Sequence, residues 1–131
     1  MQLSNFLFFT TTCEQAVTFY AECGLGQVTQ LVRFGDRGMP VANEAMRGKV
    51  LVAKFEGEGV RFYASDNDDA EPMRGSAHFL EIEDPARLKA LFARLSAGGT
   101  VTTPLGKQPW SSLYGKFTDK FGVQWMLNCT T

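Results

Sequence analysis

His78 is the only histidine in the chain, and its imidazole is the side chain best suited to acid–base chemistry or metal binding near neutral pH. It lies in the stretch SAHFLEIEDP (76–85), where an alternating apolar pattern predicts a β-strand. A lone histidine on a strand is most often a partly buried residue that bonds to a backbone group or to water. A role as general base or as hydrogen-bond partner of a ligand stays open, so His78 is the candidate catalytic residue.

The other reactive side chains give weaker signals. Cys13 lies near a predicted helix N-terminus, where the dipole lowers the pKa of a thiol, but the chain has no second histidine to pair with it. The acidic residues Asp66, Asp68 and Asp69 lack the glycine and the closing glutamate of an EF-hand loop. The sequence contains no GxGxxG, P-loop or GxSxG motif, which argues against nucleotide binding, methyl transfer and serine hydrolysis.

The elements that position His78 belong to an internal repeat. The segment that begins at Phe6 aligns without a gap on the segment that begins at Phe79, at an offset of 73 residues (79 − 6). In each half a strand-like stretch precedes a helix, and three further strand-like stretches follow, the last two joined by a short turn. Each half therefore predicts the order β-α-β-β-β. The predicted strands are 3–9, 26–34, 49–56 and 60–65 in the first half, and 78–82, 100–103, 113–118 and 123–128 in the second.

Both helices have recognisable boundaries. Thr11 with Glu14 fits a capping box, in which the threonine caps the first helix and the glutamate reaches back. Asp84 followed by Pro85 predicts the N-cap and the first turn of the second helix. A glycine follows each helix and favours its termination. The second helix has the apolar spacing of a helix that packs on a sheet, at Leu88, Leu91, Phe92 and Leu95.

These elements predict an α+β protein of two βαβββ modules, whose mixed sheets form cups with the helices outside. We expect a single domain over 1–131, with module one at 1–66, a polar linker at 67–76 and module two at 77–131. Neither half has enough residues to bury both faces of its sheet. We therefore expect the two sheets to enclose a shared concave surface.

Composition narrows the class of partner. The chain has 131 residues, of which 44% are hydrophobic, and this fraction fits a packed core. Its formal net charge of −1 argues against the basic surface that nucleic-acid binding needs. No apolar run is long enough to span a membrane, and the N-terminus lacks the pattern of a signal peptide. Cys13 and Cys23 lie about 15 Å apart on one predicted helix, too far for a disulfide. We therefore expect a reduced, cytoplasmic protein that binds neither nucleic acid nor membranes.

The segment PWSSLYGKFTDKFGVQWMLN (109–128) carries the most specific motif of the chain, W-x4-G-x3-D-x2-G-x2-W. Together with CEQAVTFYAECG (13–24) and the paired modules, it resembles the vicinal oxygen chelate superfamily of glyoxalases, bleomycin resistance proteins and extradiol dioxygenases, and within it the PhnB-like branch. The resemblance implies one glyoxalase-like domain and a homodimer. It also implies four cavity positions, one on the first and one on the last strand of each module, which hold a divalent metal in the superfamily's enzymes.

The repeat assigns these four positions to Asn5, Tyr63, His78 and Met126. One amide, one phenol, one imidazole and one thioether make a poor site for a divalent ion, which prefers several histidine, cysteine or carboxylate ligands. We therefore expect no bound metal and no cofactor. His78 is interpreted as the catalytic candidate, and the ligand-binding candidates are Asn5, Tyr63, Trp110, Trp125 and Met126.

The function that best fits these residues is the binding of a small organic molecule by a glyoxalase-like protein that lacks the usual catalytic metal. Two alternatives stay open. One is a metal-dependent lyase, isomerase or dioxygenase, in which His78, Asn5 and water hold the metal. The other is a drug-sequestering protein of the bleomycin resistance type. The cavity residues suit an enzyme and a binding protein equally, so the sequence does not decide between them.

Overall fold

The strands and helices of the computed structural model, which describes residues 1–130, follow the order that the repeat predicts. The chain divides into unit 1, Met1–Glu71, and unit 2, Pro72–Thr131, and the division falls within the predicted linker 67–76. Each unit has one α-helix and a four-stranded mixed sheet, which confirms the α+β class with two βαβββ modules. That the two form a single domain stays a prediction, and Thr131, the end of predicted module two, lies outside the described residues.

Unit 1 contains β1 (Asn5–Phe9), α1 (Cys13–Glu22), β2 (Gln27–Arg33), β3 (Val50–Gly57) and β4 (Val60–Asp66). Its sheet has the strand order β1-β4-β3-β2, with β1 parallel to β4 and the other neighbours antiparallel. The loop between β2 and β3 contains two short 3₁₀ turns, Asp36–Gly38 and Glu44–Met46. The parallel pairing brings the first and the last strand of the module side by side.

Unit 2 contains β5 (His78–Ile82), α2 (Pro85–Ser96), β6 (Thr100–Gln108), β7 (Ser111–Thr118) and β8 (Gln124–Cys129). Its sheet repeats the arrangement, with the order β5-β8-β7-β6 and β5 parallel to β8. β6 runs five residues past its predicted end at residue 103. A proline at position 104 favours an end of the strand before it, but β6 is an irregularly paired edge strand, where a proline is tolerated.

The boundaries of α2 confirm the sequence-based expectation. The Asp84 side chain accepts a hydrogen bond from the backbone N–H of Ala86 at 3.0 Å, and Pro85 is the first helical residue. After the helix, Gly98 adopts a φ of 76°, a conformation that glycine takes at low cost. The predicted apolar stripe of Leu88, Leu91, Phe92 and Leu95 is buried.

The predicted capping box of α1 is wrong. The N-cap is Thr12, and its side chain makes no capping hydrogen bond. Glu14 turns away to Arg33 on β2, whose Nη1 donates to the glutamate Oε1 at 3.1 Å. This hydrogen bond lowers the pKa of Glu14. Because its carboxylate is engaged there, Glu14 does not reach back to cap the helix.

The carboxylate of Asp66, at the end of β4, takes over this capping role from far along the chain. Its Oδ1 accepts a hydrogen bond from the Cys13 N–H at 2.9 Å, and its Oδ2 accepts one from the Val50 N–H at 2.9 Å. Asp66 is only 2% exposed. One buried carboxylate thus ties the start of α1 to the start of β3.

We expect Asp66→Asn to destabilise the protein by about 1.5–3 kcal/mol, the range for a hydrogen bond to a charged group. Both carboxylate oxygens accept from backbone N–H groups, so an amide nitrogen must oppose one of these donors. Urea unfolding measures the change. The control Asp69→Asn removes an exposed carboxylate three residues away and should change stability by less than about 0.5 kcal/mol. Equal effects of the two substitutions would contradict this account.

Candidate functional site

Each sheet has one face covered by its own helix and a second face turned away from that helix, here called the open face. On β8, Trp125, Leu127 and Cys129 are buried, and the intervening Met126 and Asn128 are only half-buried. Successive residues of a strand point to opposite faces, so Met126 and Asn128 belong to the open face. The same alternation on β1 assigns Phe6 and Phe8 to the open face of unit 1, and their exposed fractions are 44% and 48%.

His78 lies on the helix-covered face of unit 2. It pairs in register with Trp125, and the centroids of the two rings are 4.8 Å apart. The Trp125 Nε1–H donates a hydrogen bond to Asp119 Oδ2 at 2.9 Å. Asp119 Oδ1 accepts two backbone hydrogen bonds, from Phe121 at 2.8 Å and Val123 at 3.0 Å. The imidazole is therefore part of an aromatic cluster held by a buried carboxylate.

Within each unit, the two predicted cavity residues do not share a face of the sheet. Within unit 2, His78 pairs with Trp125, and the residue that pairs with Met126 is Phe79. Within unit 1, Asn5 pairs with the buried Phe62, and the residue that pairs with Tyr63 is Phe6. His78 therefore lies on the opposite face to Met126, and Asn5 lies on the opposite face to Tyr63.

The physical reason is a slip of one residue in the assumed register between parallel strands. The repeat itself is correct, because Asn5 and His78 occupy equivalent positions beside Phe62 and Trp125. A one-residue shift moves a side chain to the other face of a sheet. The signal that could have found the error is the residue type of β8, where the two largest apolar side chains, Trp125 and Leu127, mark the buried face.

The open face of unit 2 carries two rows of paired residues. The first row runs across the sheet through Phe79, Met126, Lys116 and Thr103, and the second through Glu81, Asn128, Tyr114 and Gly106. Phe79 is 52% exposed and Trp110, before β7, is 68% exposed. The Trp110 ring meets the Tyr114 ring edge-on, with centroids 5.7 Å apart. Aromatic and polar groups therefore adjoin on this face.

The open face of unit 1 carries the equivalent first row, which runs through Phe6, Tyr63, Lys54 and Gln30. The Phe6 ring stacks on Tyr63 at 5.9 Å and on Phe8 at 5.3 Å. The Lys54 ammonium lies 3.5 Å from the Glu56 carboxylate, so its charge is compensated within the unit. The aromatic side chains of this face thus pack largely on one another.

A model of the glyoxalase/bleomycin resistance protein/dioxygenase superfamily matches residues 2–127. The chain belongs to this superfamily. Protein YjdN of Escherichia coli (strain K12) is 29% identical over 142 residues, which cover 98% of this chain and 95% of YjdN.

Two solved structures share the fold of this chain. Protein PA1353 of Pseudomonas aeruginosa is 32% identical, with a TM-score of 0.88 and coverage of 98% of this chain and 97% of that chain. The PhnB protein of Bacillus cereus is 24% identical, with a TM-score of 0.82 and coverage of 99% and 100%. The predicted resemblance to the superfamily and to PhnB-like proteins is confirmed.

The divalent metal of superfamily enzymes does not fit the residues found here. Within residues 1–130 no three His, Cys, Asp or Glu side chains come together in a group that could hold a metal ion. The open-face residues of the first and last strands are Phe6, Phe8, Tyr63 and Ser65 in unit 1 and Phe79, Glu81, Met126 and Asn128 in unit 2. Glu81 is the single carboxylate of this set, which contains no histidine or cysteine, and a divalent cation prefers several such ligands.

Two further features are separate from the open faces. Burial, with the nearby carboxylates of Asp66 and Glu14, raises the pKa of the Cys13 thiol to about 12, so this thiol lacks the activation that its place at a helix start suggested.

A pocket of about 160 Å³ in unit 1 is smaller than the roughly 300–1,000 Å³ of ordinary ligand sites. Its lining is Phe34, Val41, Ala42, Asn43, Met46, Asn67 and Asp68, none of them a predicted ligand-binding residue.

No helix within residues 1–130 is both long enough and apolar enough to cross a membrane. α1 has 10 residues and α2 has 12, whereas a span needs about 20.

The burial of His78 predicts a pH dependence of stability. Burial lowers the pKa of His78 from its ordinary value of 6.5, and the Asp119 carboxylate opposes this only in part. The unfolded chain therefore takes up a proton first as the pH falls. The stability gained from a neutral imidazole is complete above about pH 6.5 and is lost as the pH falls through the lower, folded-state pKa.

The test compares the wild type with His78→Asn, which introduces the residue found at the equivalent position 5. Because the chain has one histidine, no other imidazole titrates in this range. We expect the difference in unfolding free energy between the two proteins, from urea titrations, to shift against the wild type between pH 7.5 and pH 5. A difference that stays constant over this range would show that folding does not lower the pKa of His78.

Proposed function

We propose that this chain binds a small, planar organic molecule on the open face of unit 2, through contacts with Phe79, Met126 and Trp110 and without a divalent metal. The observation that carries the proposal is the exposure of Phe79 and Trp110 on the same unit, at 52% and 68%. Large aromatic side chains left exposed beside polar groups mark binding surfaces. Flat ligands gain from stacking and edge contacts with such rings.

His78 and Trp125 support this face from behind in the proposed arrangement. The stacked pair of rings joins β5 to β8, and these are the strands that carry Phe79 and Met126 on the other side. His78 is then a positioning residue, since it lies on the opposite face to the proposed ligand. Asn5 has the corresponding place in unit 1, and Tyr63 stays a candidate for ligand contact on the open face there.

Binding without chemistry is favoured over a metal-dependent reaction because of the residue types on the open face. The metal-dependent alternative relies on His78 and Asn5, and both lie on helix-covered faces. The rows of unit 2 contain no cysteine, serine or histidine, and their polar residues Glu81, Lys116 and Tyr114 are able to bind a ligand by hydrogen bonds. This favours a binding protein, which includes the drug-sequestering alternative. We also propose the homodimer that the superfamily resemblance implies.

The test is binding of 1-naphthol, a neutral planar probe, measured by calorimetry. We expect Phe79→Ser to weaken binding about tenfold, since part of the apolar surface of the ring is lost. The matched control is Phe8→Ser, which removes a similarly exposed ring from the open face of unit 1 and should change affinity by less than twofold. Saturating Zn²⁺ or Mn²⁺ should leave the affinity unchanged.

Two results would overturn the proposal. One is equal affinity of wild type and Phe79→Ser for 1-naphthol. The other is binding that depends on added divalent metal, which would support the metal-dependent alternative. Both variants change exposed residues, so urea unfolding should report little loss of stability.

A further inference from the structure

The first row of the open face of unit 2 contains a cation, Lys116, and the second row contains the acceptor groups of Glu81 and Asn128. Lys116 pairs with Met126 in the first row, and Glu81 pairs with Asn128 in the second. The rows lie two residues apart along each strand, so they are separated by about 6.5–7 Å. The Lys116 ammonium and the acceptor groups of Glu81 and Asn128 therefore lie on the same side of the sheet. The distance between their rows is about the length of a benzene ring with two substituents at opposite positions.

The polar groups of these rows are not compensated within residues 1–130. Neither Lys116 nor Glu81 takes part in an ion pair there. Asn128 Oδ1 is buried and has no hydrogen-bond partner among the described residues. Buried polar atoms in folded proteins nearly always have a partner, and an orphan of this kind calls for an explanation. A donor group on a bound ligand supplies one.

Unit 1 shows what the same scaffold looks like without these features. The equivalent lysine, Lys54, is paired with Glu56 at 3.5 Å. The equivalent of the Glu81–Asn128 pair is Phe8 beside Ser65, and Ser65 is 6% exposed. The second row of unit 1 therefore lacks the carboxylate and the amide. Since the two sheets repeat one arrangement, the difference is specific to the chemistry of unit 2.

We propose that the ligand of unit 2 is an aromatic acid that carries a hydroxyl or amino group at the opposite end of its ring. This inference rests on the proposed function, and it names the class of ligand. The acid group binds the Lys116 ammonium. An amino group donates to both Asn128 Oδ1 and Glu81, whereas a hydroxyl, which has one hydrogen, donates to Asn128 Oδ1 beside the Glu81 carboxylate. The ring lies on Phe79 and Met126. Substituents at opposite positions of a benzene ring are separated by about the spacing of the two rows.

Three probes separate the contributions of the two ends: 4-hydroxybenzoate has both groups, benzoate lacks the hydroxyl, and 4-methylphenol lacks the acid. We expect wild-type protein to bind 4-hydroxybenzoate about tenfold more tightly than either of the others, measured by calorimetry. Lys116→Met should abolish the advantage over 4-methylphenol and preserve the advantage over benzoate. Asn128→Leu should do the reverse.

The matched control is Lys54→Met, which removes the equivalent lysine of unit 1 and should leave both preferences unchanged. If Asn128→Leu fails to fold, Glu81→Gln is the second variant, and because Glu81 is exposed we expect it to fold. Glu81→Gln should reduce the advantage over benzoate about threefold. Urea unfolding checks each variant.

The outcomes distinguish this inference from the proposed function. If wild type binds all three probes equally, or if Lys116→Met and Lys54→Met have the same effect, the assigned ligand class is wrong although a planar molecule still binds. If neither these probes nor 1-naphthol binds, both proposals are overturned.

Discussion

The buried carboxylate of Asp119 is the interaction on which the geometry of unit 2 depends. It closes the turn before β8 through two backbone hydrogen bonds and holds the Trp125 indole through a third. Trp125 in turn packs against His78 on the neighbouring parallel strand. Hydrogen bonds to a buried carboxylate are strong, and leaving one unmade is costly. This carboxylate therefore fixes which side chains of β8 point toward the helix and which point away from it.

The consequence for function is that His78 and the proposed ligand lie on opposite faces of one sheet. The motif W-x4-G-x3-D-x2-G-x2-W contains both kinds of residue, because Asp119 and Trp125 build the interior and Trp110 is exposed. Gly115 serves the interior as well, since a Cβ there would lie 2.5 Å from the Phe92 ring. Most of this motif thus specifies packing, which fits a superfamily in which one fold serves several activities.

Much of the fold could be predicted from local signals. The offset between Phe6 and Phe79, the Asp84 cap and the apolar stripe of α2 each depend on residues close in sequence. The cap of α1 could not be found in this way, because Asp66 acts on Cys13 from 53 positions away. Long-range strand pairing also explains why Asn5 and His78 were assigned to the wrong face of their sheets. Periodicity identifies a strand's two faces, but the register between parallel strands depends on contacts across the sheet.

The residues of the candidate site were likewise predictable only in part from the sequence. Trp110, Tyr63 and Met126 were predicted to contact the ligand and stay candidates on the open faces or beside them, whereas Trp125 lies in the interior. Lys116, Glu81 and Asn128 were missed, since each looks like an ordinary strand residue until the pairing of β5, β7 and β8 brings them onto one face. These three residues are candidates because the described residues give their side chains no ion-pair or hydrogen-bond partner. Whether a side chain has such a partner depends on the folded structure and is not visible in the sequence.

The most direct test of the open face as the ligand site is a nuclear Overhauser measurement with ¹³C-methyl-methionine protein and bound 1-naphthol. We expect cross-peaks from the naphthol ring to the Met126 methyl group and to the Phe79 ring. Cross-peaks from the ligand to the His78 and Trp125 rings, with none to Met126, would contradict this expectation.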